Sequence, residues 1–382
     1  MRQTIPLNRA SVLGNELSFV REAVNTGSAA AKGPFSARVS ELLRNELGSA
    51  DVLLTTSCTT ALELSAMLLD LQPHHNVIVP SFTFVSTALA FSRLGAEIRF
   101  ADIDPTTLCI DLDSVDALID SSTRAIVPVH YAGLPADMER LRQLVNLHQN
   151  LHVVEDNAHG LFGSHCGLPL GSFGRFSALS FHETKNFSCG EGGALVINND
   201  HDIQRAHVLY DKGTNRAAFL KGEVDRYTWV DQGSSFGMSD LLAAFLLGQL
   251  EERPRVLAKR KSLFDRYHRS LAPLQQHLGF HVPVVPEGAV SGYHMFYVLT
   301  SDAKRRTEVL RELNESGIGA TFHYQPLHRS KGAQPSTTRP FDCPTTDSVS
   351  SRIIRLPFFT TLKTSEADRV TETLIRALEH TT

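Results

Sequence analysis

The sequence predicts an α/β fold: a mostly parallel but mixed sheet covered by helices on both faces, followed by a smaller α+β unit. Short β-branched runs at 76–80, 98–101, 124–129 and 151–154 alternate with longer helical patterns, which places strands in parallel with helical crossovers between them. Two later runs, 176–181 and 194–197, are joined by too short a link for a crossover helix, so one of them pairs differently and the sheet is mixed.

Apolar residues near helical spacing justify the elements between the strands. Leu62, Met67, Leu68 and Leu71 mark a helix over 60–71, and another covers 137–148. A helix opening near Ser239 carries Asp240 in its first turn and Leu241, Leu242, Phe245, Leu246 and Leu250 along it. Glu251, Glu252, Arg253 and Pro254 then read as a boundary, dividing a large domain over 1–250 from a small one over 251–382. In the small domain, strands are expected at 280–282, 294–299 and 320–324, and helices at 304–316 and 365–377.

A chain of 382 residues, at roughly 150 per domain, has room for a sizeable core. With 37 basic against 41 acidic side chains, a formal charge of -4 and no basic block, neither nucleic acid nor an anionic membrane is an expected partner. Nothing approaches the roughly 18 apolar residues of a membrane span, and residues 1–6 lack the apolar middle of a signal peptide, so a cytoplasmic protein is expected. Cys58, Cys109, Cys166, Cys189 and Cys343 are scattered, which implies reduced thiols rather than a disulfide framework or a metal site.

Ligands of open parallel sheets gather at the carboxyl ends of the strands. No G-x-G-x-x-G or G-x-x-x-x-G-K-[ST] follows a strand, and Asn186 breaks the H-E-x-x-H that His182 and Glu183 begin. Four strand ends are nevertheless chemically loaded. Asp156 ends an apolar strand, where an unpaired carboxylate costs several kcal/mol, so it requires a cation, a partner arginine or a helix N-terminus. Lys185 follows another strand in a turn with glycines at 190, 192 and 193, as a solvated loop lysine or a Schiff-base former. Thr55 to Thr60 open a helix with small hydroxyl residues, either as plain N-capping or as an anion cradle. Phe82 and Phe84 place aromatics at a fourth end, as core or as a stacking platform.

Jointly these ends supply a phosphate cradle, an aromatic surface, a carboxylate and an amine, in the order of a pyridoxal 5'-phosphate (PLP) site. The order of Thr60, Phe84, Asp156, His159, Ser180 and Lys185 resembles the DegT/DnrJ/EryC1/StrS family of sugar aminotransferases, of the fold-type I PLP-dependent class, over nearly the whole chain. Within it, the stretches 127–133, 180–186, 212–216 and 322–328 are most similar to members that move the amino group of L-glutamate to C4 of dTDP-4-keto-6-deoxy-D-glucose.

The resemblance implies that Lys185 holds PLP as a Schiff base and moves the proton, while Asp156 keeps the pyridine nitrogen protonated. It implies that His159 lies by the cofactor ring, Phe84 stacks on its face, and Thr60, Ala61 and Ser180 take the phosphate. Ser235 stands where many members place an asparagine from the partner subunit of a homodimer; serine is shorter, which weakens that role. His323 and Tyr324, expected on a strand of the small domain, would face the sugar. Rival readings remain: Gly233, Ser235 and Gly237 satisfy the G-x-S-x-G of a serine hydrolase, although no apolar strand precedes them. A non-enzymatic sensor of PLP or a nucleotide sugar would not need Lys185, and the related 3-dehydratases carry histidine there. A 3-amino or gluco-configured product is the alternative within the aminotransferases.

Overall fold

The computed structural model describes residues 4–337 and 340–381; residues 1–3 of the chain start read above lie outside them. Its strands are β1 (Asp51–Thr55), β2 (Asn76–Pro80), β3 (Glu97–Ala101), β4 (Thr123–Ile126), β5 (His152–Asp156), β6 (Ser164–His165), β7 (Leu168–Pro169), β8 (Phe176–Ser180), β9 (Gly193–Ile197), β10 (Phe280–His281), β11 (Ala289–Val290), β12 (Tyr297–Thr300) and β13 (Ile353–Arg355). The central sheet has seven strands in the order β1-β9-β8-β5-β4-β2-β3. From β8 to β3 every pairing is parallel. β9 runs antiparallel to both β8 and β1, the consequence of the short link expected from the sequence.

Alternation along the strands sends apolar side chains to both faces. Leu53, Val77, Val79, Phe176, Ala178, Leu195 and Ile197 enter one buried layer with the helix Cys58–Leu68. Val52, Leu54, Leu179, Ala194 and Val196 enter another with the helix Asp240–Glu251, while Ile78 and Ile126 join a third. β1 was not among the expected strands, because a polar residue bounds each end of its short apolar run, Val52 to Leu54.

The C-terminal region differs more from expectation. Arg253–Leu271 is a helix of 19 residues, where the sequence suggested only a break. Pro254 lies in its first turn, where its missing N–H costs no intrahelical bond. The expected strand over 320–324 is not formed: Thr321 makes one bridge to Arg355, and the chain then leaves toward the central sheet, where the Leu327 N–H donates to the Ser81 carbonyl at 3.0 Å. His323 and Tyr324 therefore sit on an irregular connection, held between the small sheet β10-β12-β13 and the large one. Ile5 also departs from simple chain order. Its N–H donates to Gly317 O at 2.9 Å, and its side chain lies in the apolar cluster of Tyr267, Phe296, Ile318 and Leu374.

Candidate active site

The carboxyl ends of β5 and β8, the turn after β2 and the start of the helix after β1 surround a cavity of about 600 Å³. Asp156, Lys185, Ser180, Phe84, His323 and Tyr324 all line it, together with Ser57, Cys58 and Thr59 from the helix start. Residues that sequence reasoning drew from distant segments are thus brought to one place.

Strand geometry turns Glu155 and Asp156 to opposite faces. Asp156 is 5 % exposed. Its Oδ2 accepts from the Thr87 hydroxyl at 2.7 Å, and its Oδ1 accepts from the Ala158 N–H at 3.2 Å. Burial pushes its carboxyl above the usual range, and no ion pair compensates it among the described residues. The partner arginine considered for this position is absent from the described residues. Thr87, at the start of a short helix after β2, is a site residue that the sequence did not single out.

Lys185 follows β8 through a turn in which its N–H donates to the His182 carbonyl at 2.9 Å. The Phe181 N–H donates to the Gly192 carbonyl at 2.8 Å, so the loop returns directly into β9. The amine makes neither an ion pair nor a hydrogen bond among the described residues. Burial pushes it down to about 8, against the opposing attraction of Asp156. A neutral amine accessible near physiological pH is a nucleophile toward aldehydes.

At the end of β1, Ser57 caps the helix Cys58–Leu68: its hydroxyl accepts from the Thr60 N–H at 3.1 Å. The Thr60 hydroxyl in turn accepts from the Ser57 N–H at 3.0 Å, and the Ala61 N–H donates to the Ser57 carbonyl at 3.2 Å. Thr60 and Ala61 lie outside the cavity lining, with their amides already used. Cys58 and Thr59, one and two residues into the helix, line the cavity instead. An anion there meets the positive end of the helix. The Thr59 hydroxyl is 2.7 Å from that of Ser86, a second hydroxyl pair on the same wall. Gly193 lets β9 pass beneath this turn, since a Cβ on it would lie 2.3 Å from the Ser57 carbonyl carbon.

His159 is buried and stacks on His294, with centroids 4.1 Å apart and planes at 17°. His294 is fixed by Asn186, whose Oδ1 is 3.1 Å from its Nδ1, and His159 Nδ1 is buried without a partner among the described residues. Desolvation pushes His159, His294 and His323 below the usual histidine range, so this ladder is neutral. His323 Nδ1 lies 2.9 Å from the Tyr131 hydroxyl, and its ring stacks on Tyr324. Phe84 is 58 % exposed at the cavity mouth. Ser235 is exposed outside the cavity, in a bridge with Asp211. No strand of the central sheet leads into it, so the hydrolase elbow has no structural basis. His294 and Tyr131 were not assigned roles from the sequence, because their value comes from neighbours more than 100 residues away.

Residues 12–375 match the sequence model of the DegT/DnrJ/EryC1/StrS aminotransferase family. The chain belongs to that family. The fold agrees with solved relatives: Spr1654 from Streptococcus pneumoniae, assigned as a sugar aminotransferase and solved in its PMP form, superposes with a TM-score of 0.92 at 26 % identity, covering 99 % of this chain and 100 % of its own. TlmJ, an aminotransferase from Streptoalloteichus hindustanus, gives 0.90 at 27 % identity over 98 % and 99 % of the two chains. AtS13 from Actinomadura melliaura gives 0.88 at 29 % identity over 97 % and 98 %. This DegT/DnrJ/EryC1/StrS protein is a PLP-dependent aminotransferase.

The cavity fits PLP on its own terms. It offers an unpaired amine to an aldehyde, a buried carboxylate lacking a cation to a pyridine nitrogen, and a helix start to a phosphate. No helix of the described residues is long and apolar enough to cross a membrane, and none of their His, Cys, Asp and Glu side chains cluster as a metal site.

Proposed function

We propose that this aminotransferase is a cytoplasmic homodimer that moves the amino group of L-glutamate to C4 of dTDP-4-keto-6-deoxy-D-glucose, yielding dTDP-4-amino-4,6-dideoxy-D-galactose for cell-surface polysaccharide synthesis. The observation that carries this reading is that Lys185 and the His323–Tyr324 pair line one cavity, where the amine shares space with polar, aromatic groups suited to a sugar. The sequence stretches 127–133, 212–216 and 322–328 support the choice of sugar, and the sugar-aminotransferase assignment of Spr1654 supports the substrate class.

PLP supplies the electron sink for the proton transfer. Lys185 would hold it and, as a free amine, would carry a proton to and from the substrate carbon. Asp156, its carboxylate oriented by Thr87 and the Ala158 N–H, would hold the proton on the pyridine nitrogen. Phe84 and His159, both in the cavity lining, would pack against the ring. The N–H groups of Cys58 and Thr59 and the hydroxyl of Ser180 would hold the phosphate, in place of the Thr60 and Ala61 amides that the resemblance implied. Exposed Ser235 would be free to contribute to the phosphate site of a second subunit. Residues 1–250 form the PLP-binding domain and 251–382 the domain that closes the sugar side, with Ile5 crossing between them.

A single base delivers the proton to one face of C4, so the tilt of the sugar decides between axial and equatorial amine. Incubation with glutamate and separate 4-keto and 3-keto dTDP sugars, followed by NMR of the amino sugar, tests this. An axial 4-amine is expected; a 3-amine or an equatorial 4-amine overturns the substrate while leaving the PLP chemistry standing.

A further inference from the structure

His294 lies behind the cavity wall rather than in it: His159 lines the cavity, and His294, stacked on it, does not. Among the described residues no hydrogen bond reaches the His159 side chain, and its Nδ1 is buried without a partner. The orientation of this cavity-facing ring therefore rests on packing. The face of His294, at 4.1 Å and 17°, is its nearest ring contact, with Tyr131 and His323 at 6.0 Å and 6.4 Å.

His294 is itself tied to the turn of Lys185. Asn186 Nδ2 donates to the Gly292 carbonyl at 2.6 Å, which turns the amide oxygen toward His294; the imidazole Nδ1, 3.1 Å away, therefore carries the proton and donates to it. Asn186 directly follows Lys185, so one side-chain amide joins the lysine turn to this ring.

The backbone that carries His294 is built at a cost. Tyr293 has a φ of 48°, in the left-handed region that side chains disfavour. The Gly292 N–H donates to the Gly133 carbonyl at 2.8 Å, and the His294 N–H donates to the Ala132 carbonyl at 3.2 Å. Gly133 permits this approach, since a Cβ on it would lie 3.0 Å from the Tyr293 nitrogen and 3.1 Å from the His159 carbonyl oxygen. Arg260, 2 % exposed, donates to the Tyr293 and His294 carbonyls at 2.8 Å and 2.6 Å, and no carboxylate pairs with it among the described residues. Strain and a buried charge persist together only where the surroundings fix a conformation, and such places cluster at functional sites.

We propose that His294 is a positioning residue of the aminotransferase: its face sets the plane of His159 toward the cofactor, and its Nδ1–H, through Asn186, sets the turn that carries Lys185. One imidazole thus keeps the ring contact and the amine in a single frame. This rests on the PLP-dependent reading of the cavity and is independent of which sugar accepts the amine.

The test starts from cofactor-free protein and adds PLP alone, so neither donor nor sugar enters. Two substitutions divide the roles. His294→Phe keeps an aromatic face for His159 and removes the donor to Asn186; His294→Asn keeps an N–H group near the Nδ1 position and removes the face. His294→Phe should slow capture of PLP, followed as growth of its visible absorbance, by about 10- to 100-fold, the scale of a reacting group displaced by about 1 Å, and leave the band maximum in place. His294→Asn should capture PLP within about threefold of the wild-type rate and shift the band maximum, because His159 is released against the ring. Asn186→Ala should slow capture as much as His294→Phe, and the double variant no more than either alone, since both remove one bond. Equal capture in all variants, losses that simply follow the thermal midpoint of the cofactor-free protein, or additive losses in the double variant each overturn the proposal. If His294→Phe does not fold, Asn186→Ala and His294→Asn carry the same comparison. A wild-type protein that captures no PLP would instead defeat the cofactor reading, and the proposal with it.

Discussion

Glu155 and Asp156 are neighbouring carboxylates on β5, both buried, yet their surroundings differ in kind. Glu155 is saturated: Oε1 accepts from the N–H groups of Phe173 and Gly174 at 2.8 Å each, and Oε2 accepts from the Gly171 N–H at 2.7 Å and from His130 Nε2 at 2.9 Å. The Ala136 N–H donates to His130 Nδ1 at 3.4 Å, which places the imidazole proton on Nε2, facing Glu155. Among the described residues Asp156 accepts only from Thr87 and Ala158, and it lines the cavity. A buried carboxylate with every lone pair used fixes a loop, here the turn from Gly171 to Gly174 that leads into β8. One with unused capacity awaits a cation. Asp102 and Asp240 belong with Glu155: Asp102 accepts from the amides of Thr345 and Thr346, and Asp240 from those of Phe35 and Ser36.

The sharpest test of the open side is removal of its amine. Lys185→Ala should abolish the visible PLP absorbance and cut turnover by at least about 10⁴-fold. Its thermal midpoint without cofactor should stay at or slightly above that of the wild type, because a desolvated amine is lost. Borohydride reduction of the wild-type holoenzyme followed by peptide mapping should find the modification on Lys185 alone.

Glu155→Ala should fail in the opposite manner. It leaves three N–H groups and His130 without an acceptor, a loss of about 3–5 kcal/mol in denaturant unfolding. Asp156→Asn, by contrast, should shift stability by less than about 1 kcal/mol and retain PLP, while turnover falls by about 10²- to 10⁴-fold because an amide cannot hold the ring proton. If the two substitutions cost equal stability, the division between saturated and open carboxylates is wrong.

Gly193→Ala tests the phosphate end of the same cavity. A methyl group 2.3 Å from the Ser57 carbonyl carbon must displace the helix start, so PLP affinity measured by equilibrium dialysis should fall at least tenfold, at a cost of about 1–3 kcal/mol.

The smallest effect concerns pH. With its midpoint near 8 rather than 10.5, Lys185 of the cofactor-free protein is protonated below that pH and free above it. Capture of PLP should accelerate from pH 7 to 9 and then level. By the same sign, the depressed value makes the cofactor-free fold gain stability as pH rises from about 8 toward 10.5, where the unfolded chain still holds the proton.

Much of this molecule is legible in its sequence because the signals are local. Parallel β-branched runs, the short β8–β9 link and a serine opening the helix at 58 each act within a few residues, and the residues at strand ends are exposed to ligands by the topology itself. Asp156 and Lys185 are therefore readable as chemistry before any coordinates are seen. What remained hidden is non-local. Whether a buried carboxylate is structural or reactive depends on donors such as Gly171 and Thr87, supplied by other turns and helices. Which amides of the helix start are free depends on the Ser57–Thr60 capping bonds, not on the hydroxyl count. The irregular course of His323 and Tyr324 follows from Leu327 docking on Ser81. Sequence determined the kinds of groups available; tertiary structure decided which were already satisfied, because hydrogen-bond capacity is spent by whichever distant neighbour the fold brings near.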